Sequence, residues 1–352
     1  MITRMSIENF RGFERIELSG MSRVCLISGK NNVGKSTLLD ALFLLMDHSS
    51  NDSFAKLNGF RGQQASDSTA LWEPLFYDMD SNRQIRLSID DDSRQSSLTY
   101  DKDTTYLPAS DNSFPEDVLA QFRTATRGSY SLRFRFVDGE YEEQGHFFAA
   151  PNGVLRQMKT NQLGNEIRYL KPTRFLNASF SRSLEGVPDG IGRLELQDRK
   201  QVVISILKKL DPSIEDILTV SRLGITQLHV RTHDRWVPIQ FAGDGVLRLL
   251  QVCLALLENE NSLLLIDEIE TGLHFSVYDS LWKAVEELSG QTGCQVIATT
   301  HSYEMIAAAQ SSIADEDAFS YYRLGRAANG IAAYRYSHSM LGDALASEME
   351  VR

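Results

Sequence analysis

VCLISGKNNVGKS, residues 24–36, is the stretch of the sequence that indicates a fold class most directly. Val24–Ser28 is a short apolar run that predicts a buried strand, and Lys35–Met46 carries apolar residues at helical spacing. Between them, Gly29–Ser36 fits the phosphate-loop pattern G-x-x-x-x-G-K-[ST]. A glycine-bearing loop between a strand and a helix turns its backbone N–H groups toward a phosphate, and the positive end of the helix faces the same way. The stretch therefore predicts a nucleotide-binding α/β fold.

Individual residues of this loop have predictable roles. Lys35 is expected to reach the β- and γ-phosphates of ATP and to act as a catalytic residue, and the Ser36 hydroxyl is expected to ligate Mg²⁺. ATP and Mg²⁺ are thus the predicted cofactors. The other loop residues predicted to contact the nucleotide are Gly29, Lys30, Asn31, Asn32, Val33, Gly34 and Thr37.

Length and composition narrow the class of protein. The chain has 352 residues, of which 42% are hydrophobic and 24% charged, so one elaborated α/β domain or two domains are both possible. A net charge of −11 argues against a globally basic nucleic-acid coat but leaves room for a local groove. Cys25, Cys253 and Cys294 stand in or beside apolar runs, as is typical of reduced core thiols. No apolar run approaches the roughly 18 residues of a membrane span, and the N-terminus lacks a signal-peptide pattern, so we expect a cytoplasmic protein.

The ends of the chain differ from its middle. Strands and helices alternate in residues 1–48 and 171–352, which predicts the two lobes of one ATPase domain around a parallel or mixed sheet. Residues 49–170 contain short alternating runs separated by loops, which predicts an antiparallel β insertion with one helix near Glu116–Arg123. The further predicted elements are a helical region over 195–220, strands at Leu228–Arg231 and Trp236–Phe241, a buried helix at Val246–Leu257, a strand at Leu263–Ile266, an amphipathic helix over Val277–Leu288 that ends at Gly290, and a strand at Val296–Thr299.

Polar residues follow two of the predicted buried strands. Asp267 and Glu268 come directly after Leu263–Ile266, and His301 follows Val296–Thr299. Ligands bind at the carboxyl ends of strands in open α/β sheets, so these side chains should meet at one edge. We assign Asp267 to Mg²⁺, Glu268 to the attacking water, and His301 to the γ-phosphate or to the support of Glu268.

Together these motifs resemble the ABC-type ATPases of the SMC/RecF/OLD branch, and most of all stand-alone OLD-like ATPases. The residues that carry the resemblance are Glu8-Asn9-Phe10-Arg11-Gly12-Phe13, the signature-like Phe241-Ala242-Gly243-Asp244-Gly245-Val246-Leu247-Arg248, Asp267-Glu268-Ile269-Glu270-Thr271-Gly272-Leu273-His274, and Thr299-Thr300-His301-Ser302. Ile269 stands where the branch usually has proline, and the signature lacks the common Ser-Gly-Gly-Gln form. The resemblance covers about residues 1–48 and 195–325.

The resemblance implies a dimer with composite sites. Gly243, Asp244 and Gly245 of one subunit would bind the γ-phosphate held by its partner, and Arg11 would approach the phosphates. Thr271–His274 would line the interface between the two subunits.

The biological role is open to several hypotheses. The stretch after His301 is too short for the nuclease domain of OLD nucleases, so the resemblance favours a homodimeric or larger ATPase with a separate effector such as a nuclease, in phage defence. The alternative is a RecF-like DNA-repair clamp, for which Arg123, Arg127, Arg133, Arg135, Lys208 and Lys209 are candidate phosphate contacts. A transporter subunit is a third hypothesis, and ATP binding without turnover is a fourth.

Overall fold

The computed structural model describes residues 1–50, 53–60, 71–92, 94–104, 130–149, 155–163, 170–178, 186–222, 225–328 and 330–352. The helix predicted near Glu116–Arg123 lies outside these residues, as do Arg123 and Arg127. The α-helices of the described part are α1 (Lys35–Met46), α2 (Ser53–Phe60), α3 (Val187–Leu196), α4 (Lys200–Leu210), α5 (Asp244–Glu258), α6 (Tyr278–Thr292), α7 (Tyr303–Ser312) and α8 (His338–Ala346). The strands are β1 (Ile2–Phe10), β2 (Phe13–Ser19), β3 (Val24–Gly29), β4 (Ile85–Asp91), β5 (Gln95–Asp103), β6 (Ser131–Asp138), β7 (Tyr141–Ala149), β8 (Leu155–Leu163), β9 (Thr173–Leu176), β10 (Ile214–Arg222), β11 (Ile225–Thr232), β12 (Arg235–Pro238), β13 (Leu263–Ile266), β14 (Gln295–Thr299), β15 (Phe319–Ala327) and β16 (Gly330–Tyr336).

The chain folds into two compact units that each use several segments. The first unit comprises Met1–Gly20, Asn32–Leu170 and Gly325–Ala333, and the second comprises Met21–Asn31, Lys171–Leu324 and Tyr334–Arg352. The chain passes from the second unit to the first inside the predicted phosphate loop. The division into lobes at 48 and 170 that the sequence suggested stays a prediction.

The first unit contains a seven-stranded antiparallel sheet in the order β2-β1-β4-β5-β6-β7-β8. Its side chains alternate between a buried and an exposed face, as in Ile85, Leu87 and Ile89 against Arg86. One face of such a sheet packs on a core while the other meets water. The predicted antiparallel insertion is therefore present, and it shares its sheet with the N-terminal hairpin β1–β2.

A six-stranded sheet has the order β16-β15-β3-β14-β13-β9. Its strands β15, β3, β14, β13 and β9 are parallel, and the middle ones are buried along their whole length. Continuous apolar runs are typical of parallel strands because helices cover both faces. In the second unit, α5 and α6 contribute a long series of buried side chains to the hydrophobic core.

Three predictions of local structure were wrong. The strand expected at Trp236–Phe241 ends at Pro238, and Ile239–Phe241 forms a short 3-10 turn instead. The helical region expected over 195–220 is two helices, α3 and α4, followed by strand β10, which pairs with β11 in a three-stranded sheet. The helix α6 does not end at Gly290 but continues to Thr292, where Gly293 at φ 68° terminates it. A glycine with positive φ after the last turn is a common helix end. Every helix among the described residues is too short or too polar to cross a bilayer.

Candidate nucleotide site

The acidic turn after β13 is held by a threonine on the neighbouring strand. Asp267 is 8% exposed, and its backbone N–H donates to the Leu176 carbonyl oxygen at 2.9 Å. The hydroxyl group of Thr299, at the end of β14, donates to Asp267 Oδ1 at 2.7 Å and accepts the Glu268 N–H at 2.9 Å. One buried side chain thus orients both residues that the sequence assigned to metal and water.

Glu268, the second acidic residue of this turn, is more exposed than Asp267. Its φ is 47°, which is unusual for a residue with a side chain. The Glu268 carboxylate is 42% exposed, and its Oε2 accepts the Thr271 hydroxyl at 3.2 Å. His301 Nε2 lies 3.8 Å from Glu268 Oε1, and the His301 backbone N–H donates to Glu270 Oε1 at 2.6 Å. The structure therefore brings His301 and Glu268 together, as the sequence predicted, and leaves the carboxylate accessible to water.

The structure shows what Ile269 contributes at a position where the branch usually has proline. Its backbone N–H donates to the Thr299 carbonyl oxygen at 3.0 Å, and its side chain is fully buried. A proline has no N–H to donate. The isoleucine therefore gives this turn an additional hydrogen bond to β14.

The first half of the phosphate loop begins at the same edge of the sheet. Strand β3 pairs in parallel with β14, and the Thr300 N–H donates to the Ile27 carbonyl oxygen at 3.0 Å. Strands β3, β14 and β13 are adjacent and parallel, so the residues that follow their carboxyl ends lie at one edge of the sheet. These residues are Lys30–Asn31 after β3, Thr300 and His301 after β14, and Asp267 after β13. This edge is where open α/β sheets bind their ligands.

The second half of the loop belongs to the first unit and leads into α1. Asn32 and Gly34 have φ values of 62° and 89°, and Gly34 precedes the first residue of the helix. Lys35 is 4% exposed at the helix start, and Ser36 and Thr37 follow it in the first turn. Backbone conformations of this kind turn successive N–H groups to one side, which is the geometry of an anion-binding loop.

Arg11 lies at the tip of the β1–β2 hairpin, and its nearest charged partner is on α1. The guanidinium Nη1 donates to Asp40 Oδ2, and the Arg11 side chain is 17% exposed. The proposed approach of Arg11 to nucleotide phosphates stays a prediction.

The signature-like segment lies at the start of α5. Gly243 has φ 96° and is exposed together with Asp244. A Cβ placed on Gly245 would lie 3.7 Å from the Gly272 carbonyl oxygen, so this segment packs on the Thr271–His274 segment. The two stretches that the resemblance assigned to a subunit interface are therefore neighbours within the second unit.

Arg248, the last residue of the signature-like stretch, is a residue of this site to which the sequence assigned no role. It is 1% exposed on α5, and its Nη2 donates to the Asp267 carbonyl oxygen at 3.2 Å. Burial lowers the pKa of Arg248 to about 10, and the negative charges of Asp267, Glu270 and Glu268 oppose that shift. An arginine on the helix that begins at the signature-like segment thus supports the backbone of the acidic turn. The signal in the sequence was a single cation in the mostly apolar stretch Val246–Leu257.

Asn177 was also missed. It follows β9, which pairs in parallel with β13, so it stands at the same edge as Asp267 and is 8% exposed. The strand before it has only four residues of mixed polarity, which gave no periodic signal.

Comparisons with known proteins agree with this geometry. A crystal structure of an SMC head bound to the C-winged helix domain of ScpA matches with a TM-score of 0.52 at 13% identity, covering 96% of this chain and 98% of that one. An SMC head from Pyrococcus furiosus, bound to the C-terminal domain of ScpA, matches with a TM-score of 0.50 at 12% identity over 99% of each chain. These likenesses show the fold.

Two proteins of known name are also similar to this chain in sequence. An "ATP/GTP phosphatase" of Helicobacter pylori is 25% identical over 342 residues, which is 90% of each chain. The DNA replication and repair protein RecF of Cytophaga hutchinsonii is 27% identical over 180 residues, 47% of this chain and 46% of the relative. Fold, motifs and relatives together define an ABC-type ATPase of the SMC/RecF branch, which confirms the class predicted from the sequence.

Within that class, the family described as "AAA domain, putative AbiEii toxin, Type IV TA system" matches residues 25–307, and the chain belongs to it.

Proposed function

We propose that this protein binds ATP with Mg²⁺ and hydrolyses the γ-phosphate bond at the phosphate loop. The observation that carries the proposal is the hydroxyl of Thr299, which orients Asp267 and Glu268 together beside the strand that leads into the loop. A buried carboxylate at this position suits Mg²⁺, which prefers oxygen ligands. The relative from Helicobacter pylori is named for phosphatase activity on ATP and GTP, which supports hydrolysis as the reaction.

The residues divide the chemistry between them. Ser36 and Asp267 would hold Mg²⁺, which when bound neutralises charge on the phosphate oxygens. Lys35 and the loop N–H groups bind and orient the phosphates. Glu268 is exposed enough to accept a proton from water or to orient it, and His301 at 3.8 Å holds the carboxylate in place.

We further propose that the active form is a dimer closed by ATP. The segments Gly243–Gly245 and Thr271–His274 pack together, and two large apolar side chains stand exposed beside them. Phe241 is 79% exposed and Phe275 is 64% exposed. Exposed aromatic side chains beside polar loops are common at protein interfaces. A second copy of the chain would cover them and place its signature-like segment against the nucleotide.

The dimer is proposed to drive a separate effector, with phage defence as the biological setting. The family description refers to a toxin of a toxin–antitoxin system, and both similar SMC heads were solved with bound ScpA domains. An effector can be sought by affinity purification of the Glu268→Gln protein, in the presence of ATP, from cells of the organism that produces it. The proposal expects a partner that is retained with ATP and released without it, and recovery of the ATPase alone would contradict it.

Nucleotide binding tests the core of the proposal. A fluorescent ATP analogue should bind the wild-type protein in the presence of Mg²⁺, and Lys35→Ala should abolish binding because it removes the cation that contacts two phosphates. Lys283→Ala is a matched control, since Lys283 is exposed on α6. Equal affinity of wild type and Lys35→Ala would refute the assignment of the site.

A second candidate, a DNA-responsive clamp, is favoured by one groove in the first unit. Its volume is about 610 Å³, and it crosses the polar face of strands β4 to β7. Arg86, Arg133 and Arg135 line it, each more than half exposed. Each guanidinium also has a carboxylate within 4 Å, namely Glu8, Asp101 and Glu142, so the groove is not a bare cationic surface.

Stimulation of ATP hydrolysis by duplex DNA tests this candidate. Binding through phosphates should weaken steeply as salt rises. Loss of the stimulation in Arg133→Gln/Arg135→Gln, with basal hydrolysis unchanged, would support the clamp. A rate that does not respond to DNA at low salt would remove it.

A further inference from the structure

The tip of the β1–β2 hairpin has an irregular backbone that its surroundings hold in place. Asn9 and Arg11 have φ values of 54° and 49°, a conformation that residues with side chains rarely adopt. The Arg11 N–H donates to the Leu75 carbonyl oxygen at 2.8 Å, and Asn9 Nδ2 donates to the Gln84 carbonyl oxygen at 3.0 Å. Unfavourable backbone conformations persist where contacts determine them strongly. The hairpin tip is therefore a built feature of the first unit.

One side chain of this tip, Phe13, lies directly against the glycine that precedes α1. Phe13 is 1% exposed, and a Cβ placed on Gly34 would lie 2.5 Å from its Cζ and 2.8 Å from its Cε1. Position 34 therefore needs glycine for two reasons. Its φ is 89°, and a side chain there would collide with the Phe13 ring. A glycine without such a neighbour samples many conformations. The ring restricts the backbone immediately before Lys35 and Ser36.

A partly buried ion pair, with its carboxylate fully buried, joins the same tip to the next turn of α1. Asp40 is 1% exposed, and its Oδ2 accepts a hydrogen bond from the Arg11 guanidinium. Asp40 follows Ser36 by four residues, so the two stand one above the other on one face of the helix. A buried carboxylate without a cation is strongly unfavourable, so the pair ties the hairpin tip to the helix. The hairpin therefore contacts the chain at Gly34, just before Lys35 and Ser36, and again at Asp40, one turn after them.

We infer that the tip of the β1–β2 hairpin is a positioning element of the phosphate loop. Phe13 and the Arg11–Asp40 pair hold Gly34–Ser36 in its binding conformation before the nucleotide arrives. This inference rests on the proposed ATP site. A loop that is already ordered loses less conformational freedom on binding, so its ligand binds more tightly. Releasing the loop should therefore weaken ATP binding while the hydrolytic groups stay in place.

The test compares two phenylalanines of the same sheet. Phe13→Leu removes the ring beside Gly34, whereas Phe134→Leu makes the same change in β6, where Phe134 is fully buried. Both variants should lower the melting temperature. We expect Phe13→Leu to raise the Kd for ATP about tenfold or more, and Phe134→Leu to leave it within about twofold of wild type. A Kd for Phe13→Leu that equals that of Phe134→Leu overturns the inference.

Asp40→Asn provides a second variant of nearly unchanged size. It leaves Arg11 without its carboxylate, so the tip should loosen and the KM for ATP should rise, again about tenfold, with kcat within about twofold of wild type. A fall in kcat with unchanged KM would overturn the positioning role. If wild-type protein neither binds nor hydrolyses ATP, the proposed function fails; if wild type is active and both variants keep its Kd and KM, only this inference fails.

Discussion

Replacing Thr299 with valine removes one hydroxyl group that serves both acidic residues of the site. The Thr299 side chain is fully buried, donates to Asp267 Oδ1 at 2.7 Å and accepts the Glu268 N–H at 2.9 Å. Valine has nearly the same shape, so the backbone of β14 should persist. The perturbation is therefore the loss of two hydrogen bonds without a large cavity.

The size of the effect follows from the two bonds. A hydrogen bond to a charged group contributes about 1.5–3 kcal/mol, and one between neutral groups about 0.5–1.5 kcal/mol. Thr299→Val should therefore lower the free energy of unfolding by roughly 2–4.5 kcal/mol. Because displacements of about 1 Å at a reacting group cost up to about a hundredfold in rate, kcat for ATP hydrolysis should fall about 10- to 100-fold.

Urea unfolding and steady-state ATP hydrolysis measure the two effects separately. Thr292→Val is the matched control. The buried Thr292 hydroxyl, at the end of α6, donates to the Leu288 carbonyl oxygen at 2.8 Å and accepts the Cys294 N–H at 3.4 Å. The control should lose roughly 1 kcal/mol of stability and keep its kcat. A kcat for folded Thr299→Val within about twofold of wild type would show that the Thr299 hydroxyl does not orient the two acidic residues for hydrolysis.

Three further predictions use other parts of the chain. Glu268→Gln should bind ATP, fail to hydrolyse it and accumulate as a dimer by light scattering with ATP, and hydrolysis at the wild-type rate would remove Glu268 from its role. Burial lowers the pKa of His146 although Asp103 at 3.0 Å opposes the shift, so the unfolded state binds the proton more readily and the free energy of unfolding should decrease as pH falls below about 6.5. His146→Gln should flatten this part of the stability curve, and the same slope in both proteins would exclude His146 as the cause. Burial raises the pKa of Cys25 and of Cys253 to about 12, so a thiol reagent at neutral pH should react with these thiols only after unfolding, and rapid labelling of folded protein would contradict their burial.

The nucleotide-site sequence motifs predicted much of the sheet edge, because each combines a local pattern with a requirement on the backbone. The strand predicted at Val24–Ser28 and the helix predicted at Lys35–Met46 are β3 and α1, and Leu263–Ile266 is β13. The loop between the first two needs residues that accept positive φ, and Gly34 provides one. Such signals lie within a few residues, so they can be detected without knowledge of the fold.

Strand β10 shows why some local patterns mislead. Ile214 and Ile217 are three residues apart and both buried, a spacing that is typical of a helix. In the structure they share a face because the register shifts between Ile214 and Asp216. A bulge changes the period of a strand locally. The sequence contains no separate signal for it.

Long-range partners could not be predicted for a related reason. Arg248 is 19 residues from Asp267, and Arg11 is 29 residues from Asp40. Each pair forms because elements distant in the chain pack together, and neither residue type indicates its partner. The Gly243–Gly245 contacts to a second subunit depend on another copy of the chain, so they stay a prediction.

Under the proposed function, two copies of this chain form a composite ATP-hydrolysing site. The most direct test is the rate of ATP hydrolysis per subunit as a function of protein concentration, for wild type and Glu268→Gln, with sizing at each concentration. We expect the wild-type rate per subunit to rise as dimers form and the rate of the variant to stay at background. A rate per subunit that is the same in both proteins, or that stays constant while sizing shows monomers becoming dimers, would rule out a composite site.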